Sequence, residues 1–254
     1  MKSRGGVTFP VERQTAQNRD SVDERYKNRR EDFERGFSLL LKSGSPAVVS
    51  TSPSGRYEIQ IDEYGPPRGV ASLYSRGIVK RLSDGNEVAD IKRNYGHFWH
   101  CWVAHPNGNE YLLSGEDYQG YTLVNLSRET RLDHFPEEGH DGVGFCWTAV
   151  YPSPDKLMLA VDGCIWGAPY EIRFYDFRIP DEPPYEQLGS VEGIHDADGW
   201  LDNETFSLSK ESYHRKSDGA SYDELSKDDQ REIEKDWTLA EIRIVNLNVS
   251  RPKL

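Results

Sequence analysis

Two stretches of the chain carry residue types that could do chemistry or recognition. Gly115-Glu116-Asp117-Tyr118-Gln119-Gly120-Tyr121 sets two adjacent acids and two aromatics among glycines. Gly163-Cys164-Ile165-Trp166-Gly167-Ala168-Pro169-Tyr170-Glu171 follows about 48 residues later, again with aromatics and an acid framed by glycine. Carboxylates serve as general acids and bases when burial raises a pKa. Aromatic rings with acids beside them also suit a concave binding surface. Neighbouring side chains on a strand point to opposite faces. Glu116 and Asp117 therefore serve one site only if the backbone turns there, which the flanking glycines permit. Gly144-Phe145-Cys146-Trp147 lies between the two stretches. The candidate binding residues are Glu116, Asp117, Tyr118, Gln119, Trp147, Trp166, Tyr170 and Glu171, and no residue is assigned as catalytic. The plain alternative is a polar hairpin and ordinary strand packing.

Other constellations point away from metals and cofactors. His97, His100, Cys101 and His105 are close in sequence. On an extended strand His97 and Cys101 share one face and His100 takes the other, so three ligands do not converge. No metal is expected. The three cysteines are widely spaced with no C-x-x-C, which reads as reduced thiols and no disulfide framework. Cys146 or Cys164 as a nucleophile has no histidine at a telling spacing. A P-loop, a G-x-G-x-x-G after a strand and an H-E-x-x-H are all absent from the sequence, so no cofactor is expected.

The elements that must position these residues show a beat. Ser-Pro-Ser-Gly-Arg-Tyr stands at 52–57, His-Pro-Asn-Gly-Asn-Glu-Tyr at 105–111 and Pro-Ser-Pro-Asp-Lys at 152–156, with a degenerate fourth turn near Asp202. In the first three, an apolar strand arrives, proline fixes one backbone angle, Gly, Asn or Asp supplies the next, and a second strand leaves. The period of about 50 residues fits the blades of a small or partial β-propeller. These turns resemble the S-P-D-G-[RK] turn of WD40-type and TolB-like propellers. The run GEDYQGYTLVNL through GFCW to GCIWGAPYEIRFYDF is also similar to a group of uncharacterised bacterial and fungal proteins; that resemblance implies a shared fold and carries no mechanism.

The expected fold is all-β: about four blades over residues 46–254, preceded by an N-terminal extension, 1–45, with a helix over about 21–42. Val22, Tyr26, Phe33, Phe37, Leu40 and Leu41 form that helix's apolar stripe, which is expected to pack on the β domain. Ser221 to Asp236 read as an acidic helical insertion in the last blade. Propellers often close one blade with strands from both chain ends, so Ala47–Thr51 is expected to pair in the blade that contains Thr238–Val249.

The net charge is −12, with no basic face for tracking a nucleic-acid backbone evident outside the N-terminal stretch, where Arg25, Lys27, Arg29 and Arg30 alternate with acids. The chain shows no apolar run of membrane-spanning or signal-peptide length. A cytoplasmic protein without nucleic-acid or membrane partners is expected. Its leading function is a non-catalytic binding module that presents the aromatic and acidic loops to a protein or small molecule. The alternative is a hydrolase or lyase that uses Glu116, Asp117 and Glu171 in an axial pocket.

Overall fold

The repeated turns share one hydrogen-bonded design in the computed structural model, which describes residues 17–67, 74–167, 169–221 and 237–250. Gly55 donates its N–H to the Ser52 carbonyl (2.9 Å), Gly108 to His105 (3.0 Å) and Lys156 to Ser153 (2.9 Å). The donor takes a positive φ each time, +68°, +87° and +64°. Glycine adopts this conformation freely, and Lys156 is the exception. Serine hydroxyls brace two of the turns: Ser52 Oγ accepts from the Tyr57 N–H (3.2 Å) and Ser153 Oγ from the Met158 N–H (3.0 Å). The fourth turn lacks proline. There Asp202 Oδ1 accepts from the N–H groups of Glu204 (2.8 Å) and Thr205 (2.7 Å), so a side chain replaces the backbone constraint.

Sixteen strands among the described residues form four antiparallel sheets. The first contains β1 (Leu41–Lys42), β2 (Val48–Thr51), β3 (Tyr57–Gly65), β4 (Tyr74–Arg81) and β5 (Glu87–Arg93). The second contains β6 (Cys101–Ala104), β7 (Glu110–Ser114), β8 (Tyr121–Asn125) and β9 (Thr130–His134). The third contains β10 (Cys146–Pro152), β11 (Met158–Cys164), β12 (Tyr170–Asp176) and β13 (Gln187–Glu192), and the fourth β14 (Ile194–Trp200), β15 (Thr205–Arg215) and β16 (Trp237–Asn248). Two helices complete the described elements, α1 (Gln17–Phe37) and the single turn α2 (Glu137–His140). Successive antiparallel meanders make the chain mostly β and propeller-like in its strand order.

The chain divides into two units: Met1–Ala149 with Ile179–Pro184, and Val150–Arg178 with Tyr185–Leu254. In the first, Tyr57, Ile59 and Ile61 alternate inward along β3 and pack with Val79, Ile91, Phe98, Leu112 and Val124. The segment Ile179–Pro184 belongs to this unit, where Asp181 accepts hydrogen bonds from Tyr111 Oη (2.9 Å) and Asn125 Nδ2 (3.1 Å). In the second unit Met158, Ala160, Ile172, Phe174, Phe206 and Leu208 form the core, and the Phe174, Trp200 and Phe206 rings meet edge to face. Each fully buried aliphatic or aromatic side chain here contributes roughly 1.5–3 kcal/mol.

Two expectations are corrected. Val48–Thr51 pairs with Ile61–Glu58 of its own hairpin, not in the sheet of β16. Because β4 occupies the other edge of β3, β1 and β2 lie end to end along one edge, with Leu41 opposite Gly65 and Lys42 opposite Tyr64. That edge also shortens the helix. α1 stops at Phe37, tightens through Leu39 N–H to Gly36 O (3.2 Å) and Leu40 N–H to Phe37 O (3.0 Å), and Leu41–Lys42 joins the sheet. The open hydrogen-bonding groups of β3 outweigh the helical pattern of Leu40 and Leu41. The expected insertion lies outside the described residues from Tyr222 to Asp236; Ser221 bridges to His214. No helix among the described residues is long and apolar enough to cross a membrane.

One acid in the second unit opposes its own burial. Burial raises the Asp162 pKa to about 6, the charge of Asp196 adds to this, and a hydrogen bond from the Gly163 N–H works against it. The folded state thus holds this proton more tightly than the unfolded chain. The associated stability is complete below the unfolded value of 3.8 and is lost as pH rises through about 6. Asp162→Asn, neutral at every pH, is expected to stabilise the protein by about 1 kcal/mol above roughly pH 7, allowing for solvent screening at this half-buried site, and to change little below about pH 3.5. Thermal melts of both proteins across that range check this.

Candidate functional site

The acidic stretch of the first unit is shaped by one buried cation. Arg93 ends β5 with 2% of its surface exposed. Its Nε donates to the His97 carbonyl (2.8 Å), and one Nη donates to the Gly115 carbonyl (2.5 Å) and more weakly to that of Asp117 (3.4 Å). Burial pushes its pKa down to about 10, with the Asp117 charge the main opposing influence, so Arg93 remains cationic near neutrality. The backbone folds around it, and the Gly120 N–H closes onto the Asp117 carbonyl (3.2 Å). Both glycines are required by close approach. A Cβ on Gly115 would stand 2.7 Å from the Arg93 guanidinium, and one on Gly120 2.5 Å from the His134 carbonyl oxygen.

Because the chain turns here, the adjacent Glu116 and Asp117 both reach α1. Glu116 Oε2 meets Arg30 Nε (3.0 Å) and accepts from Tyr26 Oη (3.2 Å); Asp117 Oδ2 meets Arg29 Nε (2.8 Å). Arg30 also reaches Asp133 (3.2 Å). The sheets hold the same acids from their own side. Arg131 pairs with Glu116 (3.1 Å) and Asp133 (3.0 Å), Asn94 Nδ2 donates to Asp117 Oδ2 (2.8 Å), and the Gln119 N–H donates to Asp117 Oδ1 (2.9 Å). Rings flank the charges: Tyr26 stacks on Phe135 at 5.1 Å, and the Arg29 guanidinium lies 4.8 Å from the same ring.

The titration behaviour follows from this packing. Burial raises the Glu116 pKa, Arg131 opposes that most strongly, and Asp133 adds to it. Burial also lifts the Tyr26 hydroxyl far above its usual range, reinforced by the charge of Glu116. For Arg29, burial disfavours the cation, but its hydrogen bond to Asp117 and its contact with Tyr118 prevail and hold its pKa above the ordinary value. Between α1 and the acidic loop lies a cavity of about 10 Å³, lined by Tyr26, Arg29, Arg30, Phe33, Asn94, Glu116 and Asp117. That is room for one water molecule.

The remaining candidates separate. Gln119 is buried, with its Oε1 accepting from the Gly144 N–H (2.9 Å), and Trp147 is buried in a ring stack with Tyr121 (4.5 Å) and Trp99 (5.8 Å). Trp166, Tyr170 and Glu171 belong to the second unit. Trp166 stands in the turn between β11 and β12 at φ +54°, followed by Gly167 at +97°. The Gly167 N–H donates to Cys164 Sγ (3.3 Å). Trp166 is 57% exposed, with Ile165 and Tyr170 exposed beside it. Glu171 is bound by Arg173 through Nε (2.8 Å) and Nη2 (2.5 Å). The histidine run is absorbed by packing: burial lowers the His100 pKa and its ring meets Trp102 edge-on, while His105 Nδ1 accepts from the Asn107 N–H (3.2 Å). Among the described residues no group of three or more His, Cys, Asp or Glu could hold a metal ion.

Six residues that build the acidic site were not read from the sequence: Arg29, Arg30, Arg93, Asn94, Arg131 and Asp133. Only the first two left a signal. Arg29 and Arg30 stand at i+3 and i+4 from Tyr26, on the stripe that continues to Phe33 and Phe37.

Fold and site together define a mostly β, propeller-like chain with a helix docked on an acidic loop. No family model matches it. Over 131 residues, 52% of the chain, it is 34% identical to an uncharacterized protein of Acanthamoeba polyphaga mimivirus, of which it covers 51%; the chain spans about half the length of the curated relative it matches. Solved structures similar to it include the β-propeller domain of Cps50 (Swd1) from Myceliophteria thermophila, at TM-score 0.32 and 10% identity, covering 72% of this chain and 88% of that one. The tricorn protease matches at TM-score 0.34 and 12% identity, covering 73% and 21%. No site or activity is carried over from any of them.

The two kinds of arginine should differ sharply in worth. Arg93→Met strands buried carbonyls and is expected to cost about 2–5 kcal/mol. Arg29→Ala removes a partly exposed ion pair and should cost about 1 kcal/mol or less. Urea denaturation of the two variants measures both; equal costs would contradict the role given to Arg93.

Proposed function

We propose that the protein is a non-catalytic binding module that presents the β11–β12 hairpin of its second unit to a protein partner, on blades of the WD40 or TolB kind. The observation that carries this reading is Trp166. Among the described residues it is the only apolar one of three non-glycine residues with positive φ, the others being Glu129 and Lys156. A bulky residue in the left-handed region costs of order 1–3 kcal/mol, and burial does not repay that at 57% exposure. Ile165 and Tyr170 extend the exposed surface. Tryptophan and tyrosine are enriched among the residues that dominate binding energy at protein interfaces. The acid–base alternative finds less support, because Glu116 and Asp117 are each matched by arginine beside a cavity of about 10 Å³.

The test separates recognition from folding. Trp166→Gly relieves the left-handed strain, so the melting temperature is expected to hold or rise, while retention of a partner from lysate falls at least tenfold, as for an interface hot spot. Tyr170→Ala is expected to weaken retention with the fold intact. Undiminished retention by both variants refutes this surface. A clear drop in melting temperature for Trp166→Gly would make the tryptophan a structural residue.

A further inference from the structure

We infer that α1 is a reversible strap: it docks by charge into a seat that the sheets build without it, and another helix carrying the same Tyr-x-x-Arg-Arg face can take its place. Three observations carry this. First, every acid in the seat has partners outside α1. Asp117 is held by Asn94 and the Gln119 N–H, and Glu116 and Asp133 are clamped by Arg131. Thr122 adds a hydrogen bond to Asp133 (2.7 Å), and Arg93 fixes the loop from beneath. The seat therefore keeps its shape when the helix leaves.

Second, Glu116 and Asp133 share Arg131 of β9, Asp117 has the buried Arg93 of β5 near it, and α1 supplies two further guanidiniums. Glu116 and Asp117 are 3% and 5% exposed, whereas the Arg29 and Arg30 side chains remain 36% and 37% exposed. The cation side is thus open to water and salt while the acid side is fixed. Such pairs weaken as ionic strength rises, because the screening length falls from about 10 Å at 0.1 M to about 3 Å at 1 M.

Third, none of the described side chains of α1 enters the hydrophobic cluster around Ile59, Val79 and Ile91. Its ring contacts are Phe33 with Tyr74 (5.7 Å), the buried Phe37 with Tyr64 (4.8 Å) and Tyr26 with Phe135 (5.1 Å). The helix can leave without opening that cluster. Spacing sets the contact face: Tyr26, Arg29, Arg30, Phe33, Glu34 and Phe37 are shielded, with Glu34 paired to Lys92 of β5 (2.6 Å), while Lys27, Asn28, Glu31, Asp32 and Arg35 are exposed.

The experiment has two arms. In the unaltered full chain, hydrogen exchange is followed from low to about 1 M sodium chloride. Amides of residues 26–37 are expected to exchange at least tenfold faster at high salt, with those of β7 and β8 unchanged. Equal salt response in helix and strands, or none in either, overturns the strap. The second arm uses a synthetic peptide with the sequence of residues 17–37 as the probe. It is expected to bind the full-length Arg29→Ala/Arg30→Ala protein at least tenfold more tightly than the unsubstituted protein, whose seat is filled. A peptide carrying the same two substitutions should bind neither. Equal binding of the peptide to both proteins, or no binding to a double variant whose β7 and β8 amides remain protected, overturns the replaceable seat.

Discussion

The site in the first unit depends on a cation placed where water does not reach. The Asp117 charge opposes the effect of burial on Arg93, whose donors reach carbonyl oxygens of the loop and of residue 97. Those carbonyls in turn stay in place because a buried guanidinium demands them. A guanidinium offers several donors in a rigid fork. One side chain can therefore fix several points of a loop that has little regular structure of its own. From that constraint follow the sharp turn at Gly115–Gly120 and the shared direction of two adjacent acids. The place where α1 comes to rest follows as well.

Two kinds of force then hold the first unit. Sheets β1–β9 are held by alternating apolar side chains, a dry and cooperative arrangement that salt barely touches. The contact of α1 is instead made of arginines, carboxylates, a phenol and stacked rings. Burial works against Arg29 and Arg131, whose acidic partners prevail, and against Glu116, where burial outweighs the arginines. Such contacts contribute modest net stability and strong geometric specificity. The second unit places its distinctive feature differently. At Trp166 the backbone holds a strained conformation and the residue is more than half exposed. One unit hides its charges under a helix, and the other displays an aromatic.

Local features were the most legible in the sequence. The turns at Pro53, Pro106 and Pro154 each need a particular run of backbone angles, and Pro, Gly, Asn, Asp and Ser state that need within four residues. The glycines around Glu116 and Asp117 likewise announced a turn, and the turn exists. Features set by competition were not legible. Leu40 and Leu41 continue a helical stripe, but β3 offers an open edge and takes Leu41 as a strand. Val48–Thr51 pairs with the nearest strand of its own hairpin, because a short connection costs less entropy than a distant closure.

The sequence by itself determined the repeat, the turn chemistry, the strand-rich meanders and the helical stripe through Tyr26, Phe33 and Phe37, because each is written in residues close together along the chain. Only the tertiary structure decided what the acids at 116 and 117 face. Their partners come from residues 26, 29, 30, 94, 131 and 133, and no local pattern joins these segments. A carboxylate beside a glycine reads the same whether it meets substrate, water or an arginine of its own chain. Which of these it meets is fixed by long-range packing around Arg93, and that packing is a property of the folded unit.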